Sequence, residues 1–126
     1  MEPRIQYCTA PDGVHLAFCT MASGAPIVLL PATIGYGNIQ FEEILPSTRR
    51  LLELLSPRMS VTRYDRRGQG LSDRDVVDDS LDAHVSDLLT IIDRLSVERV
   101  ALYARLLHGP LAITFAHRYP ERVSHL

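Results

Sequence analysis

Few side chains in this chain combine a reactive group with a position suited to using it. His108 is the first candidate, because an imidazole can act as general base or nucleophile near neutral pH. No hydroxyl or thiol stands beside it in sequence to be activated, so a partly exposed loop histidine is the plainer expectation. Arg105, just ahead of an apolar helical run, is placed to hold an anion near a helix amino end; a solvated loop arginine is the competing reading. His117 falls on that helix and is expected at the surface, and His125 on the last short strand is expected to be structural. Cys8 and Cys19 form no C-x-x-C pair. A disulfide between neighbouring strands is geometrically allowed, but two half-buried structural thiols suit a chain without secretory features better. Asp82 and Asp87 read as water-facing helix residues. No His/Cys/Asp/Glu cluster has metal-ligand spacing, so neither metal nor cofactor is expected.

The most informative stretch is Tyr64-Asp65-Arg66-Arg67-Gly68-Gln69-Gly70-Leu71-Ser72-Asp73. Two glycines two apart, after the β-branched pair Val61-Thr62, mark a tight turn at the carboxyl end of a strand. Gly68 and Gly70 are expected to supply the turn geometry, Asp65 and Arg67 to pair locally, and Ser72 to hydrogen-bond the backbone. A loop bordering a functional site is the alternative.

These residues need a frame, and the rest of the chain describes one. With 126 residues, 46% hydrophobic and 22% charged, the sequence suits a single globular domain over 1–126. A net charge of -2 with scattered basic residues gives no reason to expect nucleic acid or an anionic membrane as partner. The amino terminus has no apolar signal region, and Ala25 to Ala32 is too short to cross a bilayer, so a cytoplasmic protein is expected.

Ile5 to Thr9 and Val14 to Thr20 read as a hairpin turned at Pro11-Asp12-Gly13, with Val14, Leu16 and Phe18 on one face and His15, Ala17 and Cys19 on the other. Ile27 to Leu30 reads as a strand buried on both faces, and Pro31 to Asn38 as a loop. A helix over Ser47 to Leu55 turns Leu51, Leu52, Leu54 and Leu55 inward, and Ser60 to Tyr64 is the next strand. Ser80 caps the clearest helix, whose apolar positions are Leu81, Val85, Leu88, Leu89, Ile92 and Leu95. Arg99 to Tyr103 is a strand, Leu111 to Tyr119 a helix, and Val123 to Leu126 the start of another strand. A hairpin followed by alternating strands and helices predicts an α/β domain with a mainly parallel sheet.

Four segments in this order resemble the amino-terminal half of the α/β-hydrolase superfamily: Pro11-Asp12-Gly13-Val14, the D-x-R-G-x-G-x-S pattern of the Tyr64 to Asp73 turn, Leu95 to Leu102, and Arg118-Tyr119-Pro120-Glu121-Arg122-Val123. The likeness extends to hydrolase-like domains found alone or fused to helix-turn-helix regulators and nucleotide cyclases. It implies a sheet of order 1-2-4-3-5-6-7-8, here truncated at the sixth strand as one incomplete domain. It also implies a nucleophile on a sharp strand-to-helix elbow between small residues. That elbow falls on Ala104-Arg105-Leu106-Leu107-His108 followed by Gly109, with Leu106 at the nucleophile position and His108 at a position that should be small. The oxyanion donors implied are the amide of Leu107 and amides near Ala32 and Thr33. The family's acid and histidine belong to later strands.

The expectation is therefore a non-catalytic homologue of the ester/epoxide-type hydrolase lineage. A ligand-sensing or partner-binding regulatory module and a hydrolase active only with a missing carboxyl-terminal half are the alternatives. The resemblance also implies that Val100, Leu102, Leu111, Ile113 and Phe115 lose their cover. Self-association or a carboxyl-terminal partner is then expected along the open sheet edge, and a small apolar ligand above the sheet.

Overall fold

Gly13, at φ +93°, lets the Pro11-Asp12-Gly13 turn fold β1 (Gln6–Thr9) back along β2 (His15–Met21). The pair is antiparallel, with Gln6 opposite Phe18 and Thr9 opposite His15. The computed structural model describes residues 3–31 and 37–126. β3 (Ala25–Leu29), β4 (Met59–Tyr64), β5 (Val100–Tyr103) and β6 (Val123–His125) complete a six-stranded sheet of order β1-β2-β4-β3-β5-β6. β4 runs antiparallel to β2, whereas β3 lies parallel to β4 and β5, and β5 parallel to β6.

Successive β3 residues serve opposite faces, as a pleated strand requires. Val28 joins Leu88, Ile91, Ile92, Val100, Leu102, Leu111 and Phe115 in the larger core, beneath α3 (Leu81–Arg94) and α4 (Gly109–Arg118). Ile27 and Leu29 join Leu52, Val61 and Ala101 beneath α2 (Pro46–Leu55). A four-residue helix, α1 (Ile39–Glu42), lies between β3 and α2 in the chain. No described helix is long and apolar enough to cross a membrane.

Most element bounds differ from the sequence reading by one or two residues, but several side chains go elsewhere. Both faces of β2 are covered in its middle, so Ala17 and Cys19 are buried like Leu16 and Phe18. Cys19 and half-buried Cys8 are free thiols, and burial raises the pKa of each. In α2 only Leu52 is fully buried among the four leucines, and Leu54 is exposed.

In α3, Ser80 caps as expected, its hydroxyl accepting from the Ala83 amide at 3.2 Å. The buried stripe, however, is Ala83, Val85, Asp87, Leu88, Ile91 and Ile92, while Leu81 is exposed. Asp87 does not face water; Arg67 draws it inward. The expected loss of cover is corrected too. Val100, Leu102, Leu111 and Phe115 are buried because α3 packs against α4 over them, and of the five only Ile113 is exposed.

Candidate functional site

The parallel strands β3 and β5 bring their carboxyl ends together, tied by the Leu30 amide donating to the Tyr103 carbonyl at 2.9 Å. In doubly wound sheets this end is where connecting loops form sites. Here β5 runs into Ala104 and Arg105, then a 3-10 turn over Leu106–His108, then directly into α4. Reversing direction over so few residues forces one of them out of ordinary backbone space. That residue is Leu106, at φ +52°. A left-handed conformation costs a residue with a Cβ about 1–2 kcal/mol. Gly109 does not relieve it, since Gly109 is ordinary αR at φ -55° with open space around it.

The strained residue carries an isobutyl group that is 79% exposed, and Leu107 beside it is exposed as well. Neither has a lone pair to attack with or a proton to transfer. Arg105 lays its guanidinium over the Tyr103 ring, 5.6 Å from the centroid, and its Nε is buried with no hydrogen-bond partner. Ala104 packs partly buried against the larger core. His108 is the main correction at this site: it is 5% exposed, not a partly exposed loop residue. It ends the 3-10 turn and precedes α4, and its Nε2 is buried without a partner. Burial first, then the nearby Arg66 guanidinium and His84, hold its pKa below the ordinary histidine value.

The Tyr64 to Asp73 turn makes no described hydrogen bond to the elbow and is tied instead to β2, α1, α3 and the β1–β2 turn. Gly68 and Gly70 take φ of +80° and +52°. Asp65, fully buried, accepts the Ile39 amide at 2.7 Å and the Leu71 amide at 2.8 Å, so it ties the turn to the start of α1. Burial raises its pKa, and those two amides oppose the rise. Ser72 accepts from the Ala17 amide at 2.9 Å and donates to the Asp65 carbonyl at 2.7 Å.

Asp65 does not pair with Arg67, which corrects the local pairing expected. Arg67 reaches across to α3 and to the β1–β2 turn instead. Its Nε and Nη2 donate to Asp87 at 2.6 and 2.7 Å, and its Nη1 donates to Asp12 and to the Asp78 carbonyl at 2.8 Å each. The one readable sign of this was spacing: Asp87 stands four residues after Ala83 and four before Ile91, on the buried stripe. Arg66 was also missed; it contacts Asp79 at 3.1 Å and His84 at 3.2 Å, beside the elbow.

The oxyanion positions Ala32 and Thr33 lie outside the described residues. His117 and His125 are both exposed, and His125 meets only the Ser124 hydroxyl, at 3.1 Å. Among the described residues no group of three His, Cys, Asp or Glu is arranged to hold a metal ion. A cavity of about 670 Å³ lies between β2 and α2, lined by Cys19, Met21, Ile44, Leu52 and Arg63 among others, with no elbow residue in its wall.

Comparison with known proteins fits this geometry. A solved hydrolase from Pseudomonas aeruginosa is 25% identical with a TM-score of 0.81, over 95% of this chain and 43% of that one. A meta-cleavage product hydrolase from Pseudomonas fluorescens, solved with acetates, is 28% identical with a TM-score of 0.74, over 94% of this chain and 42% of that one. This chain carries the amino-terminal part of an α/β-hydrolase fold. Among curated proteins, the 2-hydroxy-6-oxo-2,4-heptadienoate hydrolase of Pseudomonas putida is 25% identical over 90% of this chain and 40% of its own length. No family model matches. The chain thus spans less than half the length of the hydrolases it resembles. In α/β-hydrolases a sharp strand-to-helix turn carries the nucleophile, and the turn after β5 in this chain holds Leu106 at φ +52°.

Proposed function

We propose that this chain, as it stands, is a non-catalytic α/β-hydrolase homologue. The observation that carries this reading is Leu106 at φ +52°, a backbone posture that serves to present a nucleophile, bearing a side chain that cannot act as one. His108 does not compensate. A neutral, buried imidazole with no hydroxyl or thiol bonded to it has nothing to activate and no path to a bulk substrate. The amide of Leu107 remains a potential oxyanion donor, but stabilising a tetrahedral oxyanion accelerates nothing if no group forms the adduct.

The purified chain should show no turnover above the buffer blank on activated esters, an epoxide or 2-hydroxy-6-oxo-2,4-heptadienoate. Turnover that disappears when His108 is replaced by alanine would overturn the reading.

A further inference from the structure

We propose that the elbow is an acid-sensitive latch, in which protonation of His108 opens the Leu106–His108 turn together with the first turn of α4. His108 is 5% exposed, stands at the junction of the two helical turns, and makes no side-chain cap to α4. Its Nε2 is buried with no acceptor to receive a donated proton. Two residues earlier, Leu106 already holds the turn in a strained left-handed conformation. Little local structure therefore opposes release once a further cost is added.

A proton on His108 adds such a cost through burial and its cationic neighbours. From the loop after β4 comes the Arg66 guanidinium, and from α3 comes His84. Arg105 lies on its own segment, and the amino end of α4 contributes positive partial charge. The carboxylate of this cluster, Asp79, is already engaged by Arg66 at 3.1 Å and by His84 at 2.8 Å. Asp82, at the start of α3, is held by Arg118 of α4 at 2.7 Å. A charged imidazole would hold its buried Nε2–H without an acceptor there, whereas an opened elbow lets water solvate it.

The direction of the pH effect follows. Closed, His108 has a pKa below its ordinary value of 6.5; open, it returns to that value. Opening therefore binds a proton, and the closed elbow keeps its full stability above about pH 6.5. As pH falls from there toward the closed-state value, the opening constant rises by up to about tenfold per pH unit, and below that value it levels off.

Hydrogen exchange at the backbone amides of His108 and Gly109, which donate to the Arg105 and Leu106 carbonyls, referenced to those of β3 in the same sample and corrected for intrinsic chemistry, reads this between about pH 7.5 and about pH 5. Elbow protection should fall relative to β3 by up to about tenfold per pH unit below about 6.5. His108→Gln should abolish that fall, and His15→Gln, altering an exposed histidine, should leave it intact. Parallel pH dependence of elbow and β3, or a fall that persists in His108→Gln, would overturn the proposal. Should His108→Gln not fold, the ring carbon resonances of His108 in the unaltered protein decide. Titration below the ordinary histidine value supports the latch, and titration at or above it contradicts it.

Discussion

Replacing Asp87 with alanine is expected to destabilise the protein by about 3–5 kcal/mol, because it strands a buried guanidinium without its main acceptor. Arg67 and Asp87 are each 1% exposed at the side chain and share two short hydrogen bonds. Hydrogen bonding to Asp87 holds the Arg67 pKa above the ordinary arginine range, so Arg67 cannot shed its charge to escape. Asp12, the second carboxylate on Arg67, has a side chain 44% exposed, where water screens the pair. Asp12→Ala should accordingly cost about 1 kcal/mol or less. Exchanging both buried partners, Arg67→Met with Asp87→Leu, should cost far less than the two single changes added together, since no isolated buried charge remains. Urea unfolding of Asp87→Ala, Asp12→Ala, Arg67→Met, Asp87→Leu and the double variant measures this. If Asp87→Ala were no worse than Asp12→Ala, the buried bridge would not hold the turn to α3 as described.

The second large effect is expected at Gly70. A Cβ there would stand 2.2 Å from Asp65 Oδ2, 2.6 Å from its Cγ and 2.9 Å from Asn38 Cβ, and the residue sits at φ +52°. Gly70→Ala must push aside a fully buried carboxylate that receives the Ile39 and Leu71 amides. The loss should be about 3 kcal/mol or more, combining backbone strain with two buried hydrogen bonds disturbed. Gly68→Ala supplies the comparison. Its backbone is also left-handed, but its nearest neighbour would be Val76 Cγ2 at 3.3 Å, so it should cost about 1–2 kcal/mol. Thermal or urea unfolding of the pair distinguishes collision from strain, and equal losses would remove Asp65 from the explanation.

Both effects arise in the turn that carries the family likeness, and that turn shows what sequence could convey. Its glycines, the Ser80 cap and the hairpin at Gly13 were legible, because each rests on local backbone chemistry, whereas the sheet order was legible only through the family resemblance. Asp87 was not, because polarity argued for water and its partner Arg67 lies 20 residues away in sequence. His108 was misplaced for a related reason: a polar residue in a loop reads as exposed until the packing of α3 against α4 is known. The short α1 is capped by the Asn38 side chain, which accepts the Phe41 amide at 2.9 Å, but its anchor is the Asp65 carboxylate from another loop. At the turn after β5, sequence singled out Leu106 but not its backbone. Nothing in a leucine announces a positive φ, and the glycine three residues on at Gly109 would have been the natural guess.

The proposal that the elbow carries no nucleophile is tested most directly by covalent capture. The purified chain is treated with an activated ester and with a fluorophosphonate, and the elbow peptide spanning Ala104 to His108 is read by mass spectrometry. No adduct is expected on that peptide. A stoichiometric acyl or phosphonyl group mapped within it would contradict the reading of Leu106 as an apex without chemistry.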